Sequence, residues 1–190
     1  MSGRLIVVVG ASGAGKDTLI AAARERMPNL VVVRRVITRP AAAGHESFEG
    51  VSEQEFERRR LAGEFALDWR AHGLRYGIPA TEVAQRDAGC DVLFNGSRAA
   101  LDRAARVFPD LLVIRVVAPS TALTDRLLAR GRESREEIAA RLARAVEDVP
   151  AGLHPVDVLN DGPVESGVAR FLAALAPPRS LTPASQTGPA

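Results

Sequence analysis

Lysine is almost missing from this sequence. Of 25 basic residues in 190, only Lys16 is a lysine, and the other 24 are arginine. Cysteine occurs once, at Cys90, which excludes an internal disulfide and any cysteine-built metal cluster and fits a reducing, cytoplasmic setting. Cys90 itself is expected to be a buried structural thiol. Aromatic residues make up only 4%, so aliphatic side chains must fill the core, and 46% hydrophobic content over this length suits one domain. No apolar run approaches the roughly 18 residues of a membrane span, and the stretch Leu5 to Val9 behind Arg4 is too short for a secretory leader. The net charge is +2, with acids interleaved among the arginines, so neither a nucleic-acid surface nor a membrane partner is expected. Small acidic ligands suit the chain better. No internal repeat is present.

The single lysine stands inside Gly10-Ala11-Ser12-Gly13-Ala14-Gly15-Lys16-Asp17-Thr18, directly after the apolar run Leu5-Ile6-Val7-Val8-Val9. An unbroken run of that length reads as a buried parallel strand, and Asp17 onward reads as a helix. The segment between them matches G-x-x-x-x-G-K in full. Backbone N–H groups of residues 11 to 17 would cradle phosphates, the helix would aim its positive end at them, and the flexible lysine stem would reach a nucleotide's β- and γ-phosphates. Gly10 through Thr18 are therefore the candidate ATP-binding residues, with Lys16 also catalytic.

The residue after such a lysine is ordinarily Ser or Thr, whose hydroxyl meets magnesium, and here it is Asp17. Thr18 cannot substitute, because one helical step turns a side chain by about 100°. A carboxylate beside a triphosphate is repelled unless a cation lies between, so Asp17 is expected to hold Mg2+, directly or through water. The alternative is an acid that only complements the helix dipole.

Strand-like runs alternate with helical patterns along the chain: Leu30 to Ile37, Cys90 to Phe94, Leu111 to Val117 and Val156 to Leu159 are further strands, which predicts an α/β fold with a parallel sheet flanked by helices. Capping boxes at Ser52-Glu53-Gln54-Glu55 and Ser134-Arg135-Glu136-Glu137 open helices to about Leu61 and Glu147. Pro119-Ser120 opens one to Ala129, and Asp161 and Pro163 open the last. Residues 1 to 175 make one domain, and 176 to 190, rich in proline and poor in apolar residues, form a disordered tail.

In doubly wound sheets the ligand crevice lies at the carboxyl ends of the strands. Three segments qualify: Arg34 to Pro40, the polar and aromatic stretch Asp68 to Pro79, and Asn95-Gly96-Ser97-Arg98. Arg39, before a proline at a strand exit, is best placed to fork onto an acceptor phosphate, followed by Arg75 and Arg98. Asn95, Ser97 and His72 are candidates for sugar hydroxyls, although His72 serves equally well as a structural histidine. Tyr76 either hydrogen-bonds an acceptor phosphate or packs as an aromatic between strands. A further cluster surrounds Gly131; Arg130, Arg132 and Arg141 fit a lid at about residues 130 to 141 that closes on the transferring phosphoryl group. Arg126, Arg135 and Arg144 are expected at the surface.

Taken together, these segments resemble the guanylate kinase superfamily of P-loop kinases over residues 4 to 175: the loop, T-R-P, V-S-x-x-E-F at Val51 to Phe56, Y-G-I-P at Tyr76 to Pro79, R-L-x-x-R-G at Arg126 to Gly131, and Asn160-Asp161. The resemblance implies a P-loop NTPase fold with a lid. Residues that read GMP in that superfamily are missing. A second arginine is replaced near Ala41, a phosphate-binding tyrosine by Phe48, and the base-holding acids fall near Leu67 and Asn95. Closer still is the similarity to the ribose 1,5-bisphosphate phosphokinases of phosphonate degradation, carried by Gly10 to Asp17, Arg35 to Pro40, His72 to Pro79 and Asn95 to Arg98. That family also has aspartate after the lysine. The resemblance implies transfer of phosphate from ATP to ribose 1,5-bisphosphate, giving 5-phosphoribosyl 1-diphosphate. A nucleoside monophosphate kinase and a non-enzymatic guanylate-kinase-like binding module are the alternatives. A GTPase needs a second lysine in its base-reading motif and is excluded. Oligomeric state is not encoded in these motifs, and a homodimer is compatible with them.

Overall fold

The computed structural model describes residues 2–40, 47–129, 149–150 and 152–177. In chain order the described elements are β1 (Leu5–Gly10), α1 (Lys16–Arg26), β2 (Leu30–Val32), β3 (Val36–Ile37), β4 (Glu49–Gly50), α2 (Glu53–Leu61), β5 (Phe65–Ala71) and β6 (Leu74–Pro79). There follow α3 (Ala80–Val83) with a 3-10 turn over Ala84–Ala88, β7 (Asp91–Asn95), α4 (Arg98–Val107), β8 (Leu112–Val117), α5 (Ser120–Ala129), β9 (Val156–Leu159) and α6 (Val164–Leu175). Two sheets result. One is five-stranded, in the order β2-β7-β1-β8-β9, and every pairing in it is parallel.

The apolar run over Leu5 to Val9 becomes the central strand of that sheet because it is buried on both faces, with all five side chains fully enclosed. Ile6 and Val8 face one cluster that holds Leu19, Ile20 and Ala23 of α1, Ile114 and Val116 of β8, and Val168, Phe171 and Leu175 of α6. Leu5, Val7 and Val9 face the other, with Val92 and Phe94 of β7, Ala100, Leu101 and Ala104 of α4, and the hairpin residues Leu67, Trp69 and Ile78. Aliphatic packing on two sides thus fixes the strand whose carboxyl end carries the glycine loop.

The second sheet, in the order β4-β3-β6-β5, is where expectation and structure part. Leu30 to Ile37 is not one strand. Val33 makes the last bond to the parallel sheet, its N–H to Leu93 O at 2.8 Å. Exposed Arg34 then turns the chain away, its backbone N–H donating to Glu82 at 3.0 Å, and Val36–Ile37 pair instead with β6 and β4. The polar stretch Asp68 to Pro79 is an antiparallel hairpin, β5 against β6, turned by His72 and Gly73 with φ of 52° and 75°. Two successive positive φ values make the tight turn that suits the twist of paired strands.

Other boundaries shift by a residue: β7 runs Asp91–Asn95 rather than from Cys90, and β8 begins at Leu112. Cys90 is half-buried, since it lies in the turn before β7 rather than within it. Ser52 caps α2 as expected, accepting from the Glu55 N–H at 3.1 Å, while the Glu55 carboxylate pairs with Arg58 instead of reaching back. The helix expected from Ser134 to Glu147 and the tail beyond residue 177 lie outside the described residues. No described helix is long and apolar enough to cross a membrane.

The packing carries a prediction. Phe171 is fully buried, whereas Leu61 is 73% exposed. Phe171→Ala should lower unfolding stability by about 3–5 kcal/mol, and Leu61→Ala by less than about 0.5 kcal/mol, read from denaturant midpoints. Equal effects would mean that α6 does not cover the core as described.

Candidate active site

The glycine loop joins β1 to α1 in the geometry that a phosphate cradle needs. Gly13 and Gly15 adopt φ of 87° and 93°, and α1 begins at Lys16. The Lys16 ammonium bends over the loop mouth, donating to Gly10 O at 2.7 Å and Ala11 O at 3.0 Å. Asp17 and Thr18 lie in the first turn of the helix.

What holds the loop is a residue that the motif analysis used only as a marker. Asn160, just past β9 and 6% exposed, donates its side-chain N–H to Ala14 O at 2.7 Å, and its backbone N–H to Val117 O at 2.7 Å. A Cβ on Gly15 would stand 2.4 Å from Asn160 Nδ2, and one on Gly167 would stand 2.3 Å from Asn160 Oδ1. Two glycines therefore clear the space for one carboxamide. Arg126, expected at the surface, instead donates to Asn160 O at 3.0 Å and approaches Ala14 O at 3.5 Å. Its guanidinium is drawn in because the carbonyls at the loop and at the β9 end need donors. Gly13, Gly15, Thr18, Leu19, Arg126, Asn160 and Val164 line a cleft of about 280 Å³ beside the loop.

Asn95, the candidate for a sugar hydroxyl, donates its amide N–H to Asp17 Oδ1 at 2.9 Å. β1 and β7 run side by side with Val8 in register with Asn95, so the two strand ends bring loop and amide together. One oxygen of Asp17 is thereby oriented by a neutral donor. No cluster of three or more His, Cys, Asp or Glu side chains able to hold a metal occurs among the described residues.

The other candidates lie on the second sheet and at the start of α4. The Arg39 guanidinium rests 4.3 Å from the centre of the Phe48 ring, and its Nε is buried without a partner. Arg75 is turned toward α2, where its guanidinium lies 3.1 Å from Glu53 and bonds Glu57. Glu57 is held down at about pKa 2, chiefly by its bond to Arg60 and next by that to Arg75. Tyr76 stacks on Trp69, with centroids 5.2 Å apart and planes 8° from parallel. Ser97 Oγ is buried without a partner just ahead of α4, and Arg98 is its first residue. His72 is exposed at the tip of the hairpin, in the role of a turn residue. Arg130, Arg132 and Arg141 of the expected lid lie outside the described residues.

Two residues here were missed by motif reasoning. Arg35 is 7% exposed, with its guanidinium carbon 5.3 Å from the Tyr76 ring centre, and Trp69 is 7% exposed beneath the same ring. Arg35 belonged to a recognised motif but could not be told from 23 other arginines. Trp69 is the single tryptophan of the chain, and that rarity was the available signal. Trp69 also borders, with Phe56, Glu57, Asp68, Arg75 and Arg103, a cleft of about 360 Å³ crossed by ion pairs, including Arg103 to Asp68 at 2.8 Å.

No family model matches the chain. Among curated proteins it is 45% identical over 184 residues to a ribose 1,5-bisphosphate phosphokinase from Pseudomonas fluorescens, covering 92% of this chain and 96% of that one. It is 48% identical over 179 residues to one from Pseudomonas paraeruginosa, with the same coverage. A bifunctional ribose 1,5-bisphosphokinase-thymidine phosphorylase from Cupriavidus pinatubonensis is 46% identical over 176 residues, but the chain spans only 29% of its length. Among solved structures, a guanylate kinase from Anaplasma phagocytophilum shares the fold, with a TM-score of 0.64 at 20% identity over 92% of this chain and 85% of that one.

The loop clamp can be tested directly. Asn160→Ala removes a buried donor and strands Ala14 O, and should cost about 1–3 kcal/mol of stability. Asn160→Asp should cost more, since it sets a carboxylate against a carbonyl oxygen. Unfolding midpoints equal to that of the unsubstituted protein would show that the loop stands without Asn160.

Proposed function

The chain belongs to the ribose 1,5-bisphosphate phosphokinase family, and from that premise we propose that it transfers the γ-phosphoryl group of ATP to ribose 1,5-bisphosphate, forming 5-phospho-α-D-ribosyl 1-diphosphate and ADP. The observation that carries this reading is the pairing of a complete phosphate loop with an acceptor-side hairpin whose inner face is apolar and aromatic. Leu67 is 1% exposed where guanylate kinases hold the base with an acid, and Asn95 is committed to Asp17. Such a wall has no carboxylate with which to read guanine. It suits an acceptor whose recognition rests on phosphates and hydroxyls.

The reaction asks little covalent chemistry of the protein. The attacking atom is an oxygen of the acceptor's 1-phosphate, already anionic, so no general base is required. That oxygen bonds to the γ-phosphorus while the bridge to the β-phosphate breaks and ADP leaves with the electron pair. Catalysis then consists of positioning and charge neutralisation. Amides of residues 11 to 17 receive the phosphates, and Lys16 exchanges its bonds to Gly10 O and Ala11 O for β- and γ-oxygens. Gly13, Gly15, Arg126 and Asn160 line the cleft where the rest of ATP fits. Asp17, steadied by Asn95, is suited to hold Mg2+, whose chemistry is to neutralise the phosphate oxygens. Arg39, Ser97 and Arg98 serve the acceptor. Arg130, Arg132 and Arg141 would close over the transferring group.

The decisive assay offers ribose 1,5-bisphosphate and GMP in parallel with labelled ATP and magnesium. Labelled 5-phosphoribosyl 1-diphosphate without GDP is expected, and GDP alone would return the protein to the nucleotide kinases. Lys16→Ala should lower turnover at least about a hundredfold with the fold intact, since such electrostatic donors are worth about 3 kcal/mol. Asp17→Asn should raise the magnesium concentration needed for half-maximal rate. An unchanged magnesium titration would leave Asp17 as a helix-dipole acid only.

A further inference from the structure

The ion-paired cleft bordered by Trp69 has more hydrogen-bond donors than its own acids use. Arg60 of α2, Arg70 and Arg75 of the hairpin and Arg103 of α4 line its volume of about 360 Å³, against two carboxylates, Glu57 and Asp68. Each guanidinium carries five N–H donors in a fixed fork. Arg60 and Arg75 both turn to Glu57, and Arg75 also lies 3.1 Å from Glu53. Arg103 uses only Nη1, which meets the Asp68 carboxylate at 2.8 Å and the Asp68 backbone O at 3.0 Å. Its Nε and Nη2 bond to nothing among the described residues, and the Arg70 guanidinium has no hydrogen bond or ion pair there.

Charge placement points the same way. Arg70 and Arg75 stand directly opposite each other across the β5–β6 pair, where like charges destabilise. Glu53 and Glu57 answer Arg75, but no carboxylate answers Arg70, which is exposed. The lining sets four positive charges against two negative ones, in a chain whose net charge is only +2. An anion with several oxygens would relieve that repulsion and accept the idle N–H groups. These groups are accessible, since the side chains of Arg60 and Arg103 are 42% and 53% exposed. The volume suits a small metabolite. No bordering residue is shared with the cleft beside the phosphate loop.

We propose that this cleft is a second anion site, apart from the phosphate loop and the acceptor residues, that binds a small phosphate-bearing ligand. Arg70 and Arg103 supply the main contacts, with Arg60 and Arg75 beside them. Guanidinium forks match the planar faces of a phosphate group, and each such bond is charge-assisted. Glu57 and Asp68 hold the forks in place before the ligand arrives, which lowers the ordering cost of binding. Binding here does not depend on the reaction proposed above.

Trp69 borders the cleft and is the only tryptophan in the chain, so its fluorescence reports occupancy. With Mg2+ and a non-hydrolysable ATP analogue saturating the phosphate loop, the full chain is titrated with inorganic phosphate and with ribose 5-phosphate. Chloride at matched ionic strength controls for screening. A saturable change with the phosphates and none with chloride is expected. Equal midpoints identify free phosphate as the ligand; a lower midpoint for ribose 5-phosphate identifies a phosphorylated metabolite. Arg70→Gln with Arg103→Gln should raise the midpoint about tenfold or more, and leave KM for ATP and for ribose 1,5-bisphosphate within about twofold. Should the double variant fail to fold, Arg70→Gln alone, at an exposed position, should raise the midpoint about threefold or more. A chloride response equal to that of phosphate, or midpoints unmoved in both variants, overturns the site. A tenfold rise in KM for ribose 1,5-bisphosphate would make the cleft part of the acceptor site and overturn its separateness. If the wild-type enzyme does not use ribose 1,5-bisphosphate, the proposed function fails and the titrations alone decide this site.

Discussion

One buried carboxamide governs how the nucleotide side of this protein is put together. Loop amides can face inward only if the loop's own carbonyls find partners elsewhere, because an unpaired buried carbonyl is costly. Asn160 supplies that partner for Ala14, and Arg126 adds a second donor across the same junction. The arrangement reaches back into the sequence at two distant points. Gly15 and Gly167 both have to forgo a side chain for the carboxamide to fit. β9, α6 and the loop before α1 are thus registered against one another by the Asn160 carboxamide, and the Arg126 side chain adds α5.

The second sheet, where we propose the acceptor binds, is built on a different principle. It is short and mixed, and it is held to the parallel sheet by apolar contact through Leu67, Trp69 and Ile78. On its outer face α2 is tied by charge, with Arg59 joining Glu49 and Glu64, and Arg75 joining Glu53 and Glu57. The bond from Arg60 and that from Arg75 keep Glu57 ionised far below the usual carboxylate range. An all-arginine surface suits this pattern, since the planar guanidinium can serve two carboxylates at once. The one lysine is kept for the place where a long flexible stem is needed.

The pairing of Asn95 with Asp17 links the end of β7 to the first turn of α1. Arg39 Nε and Ser97 Oγ, each buried without a partner, belong to the residues proposed to meet the acceptor. A site prepared for oxygen-rich, anionic ligands would hold such donors in reserve, whereas a site prepared for a flat heterocycle would place carboxylates there.

The glycine loop, the parallel strands and the helices at Ser52, Ser120 and Pro163 were legible in the sequence because each depends on local signals: an apolar run, a cap, a proline at the first turn. The phosphate-binding role proposed for Lys16 rests on the same kind of local signal, being carried by eight adjacent residues. What the sequence could not disclose was everything that depends on partners far along the chain. Arg34 and Arg35 divide an apolar stretch between two sheets because Val36 and Ile37 find β6, some forty residues away. Asn95 turns to Asp17 rather than to solvent only because two strands lie in register. Arg126 leaves the surface for the carbonyl of Asn160. Trp69 acquires its unmet donor only when the hairpin closes over Phe94. Local order is set by bonds and burial within a few residues, but the satisfaction of a polar atom is a property of the whole packed chain, and only the tertiary structure decides it.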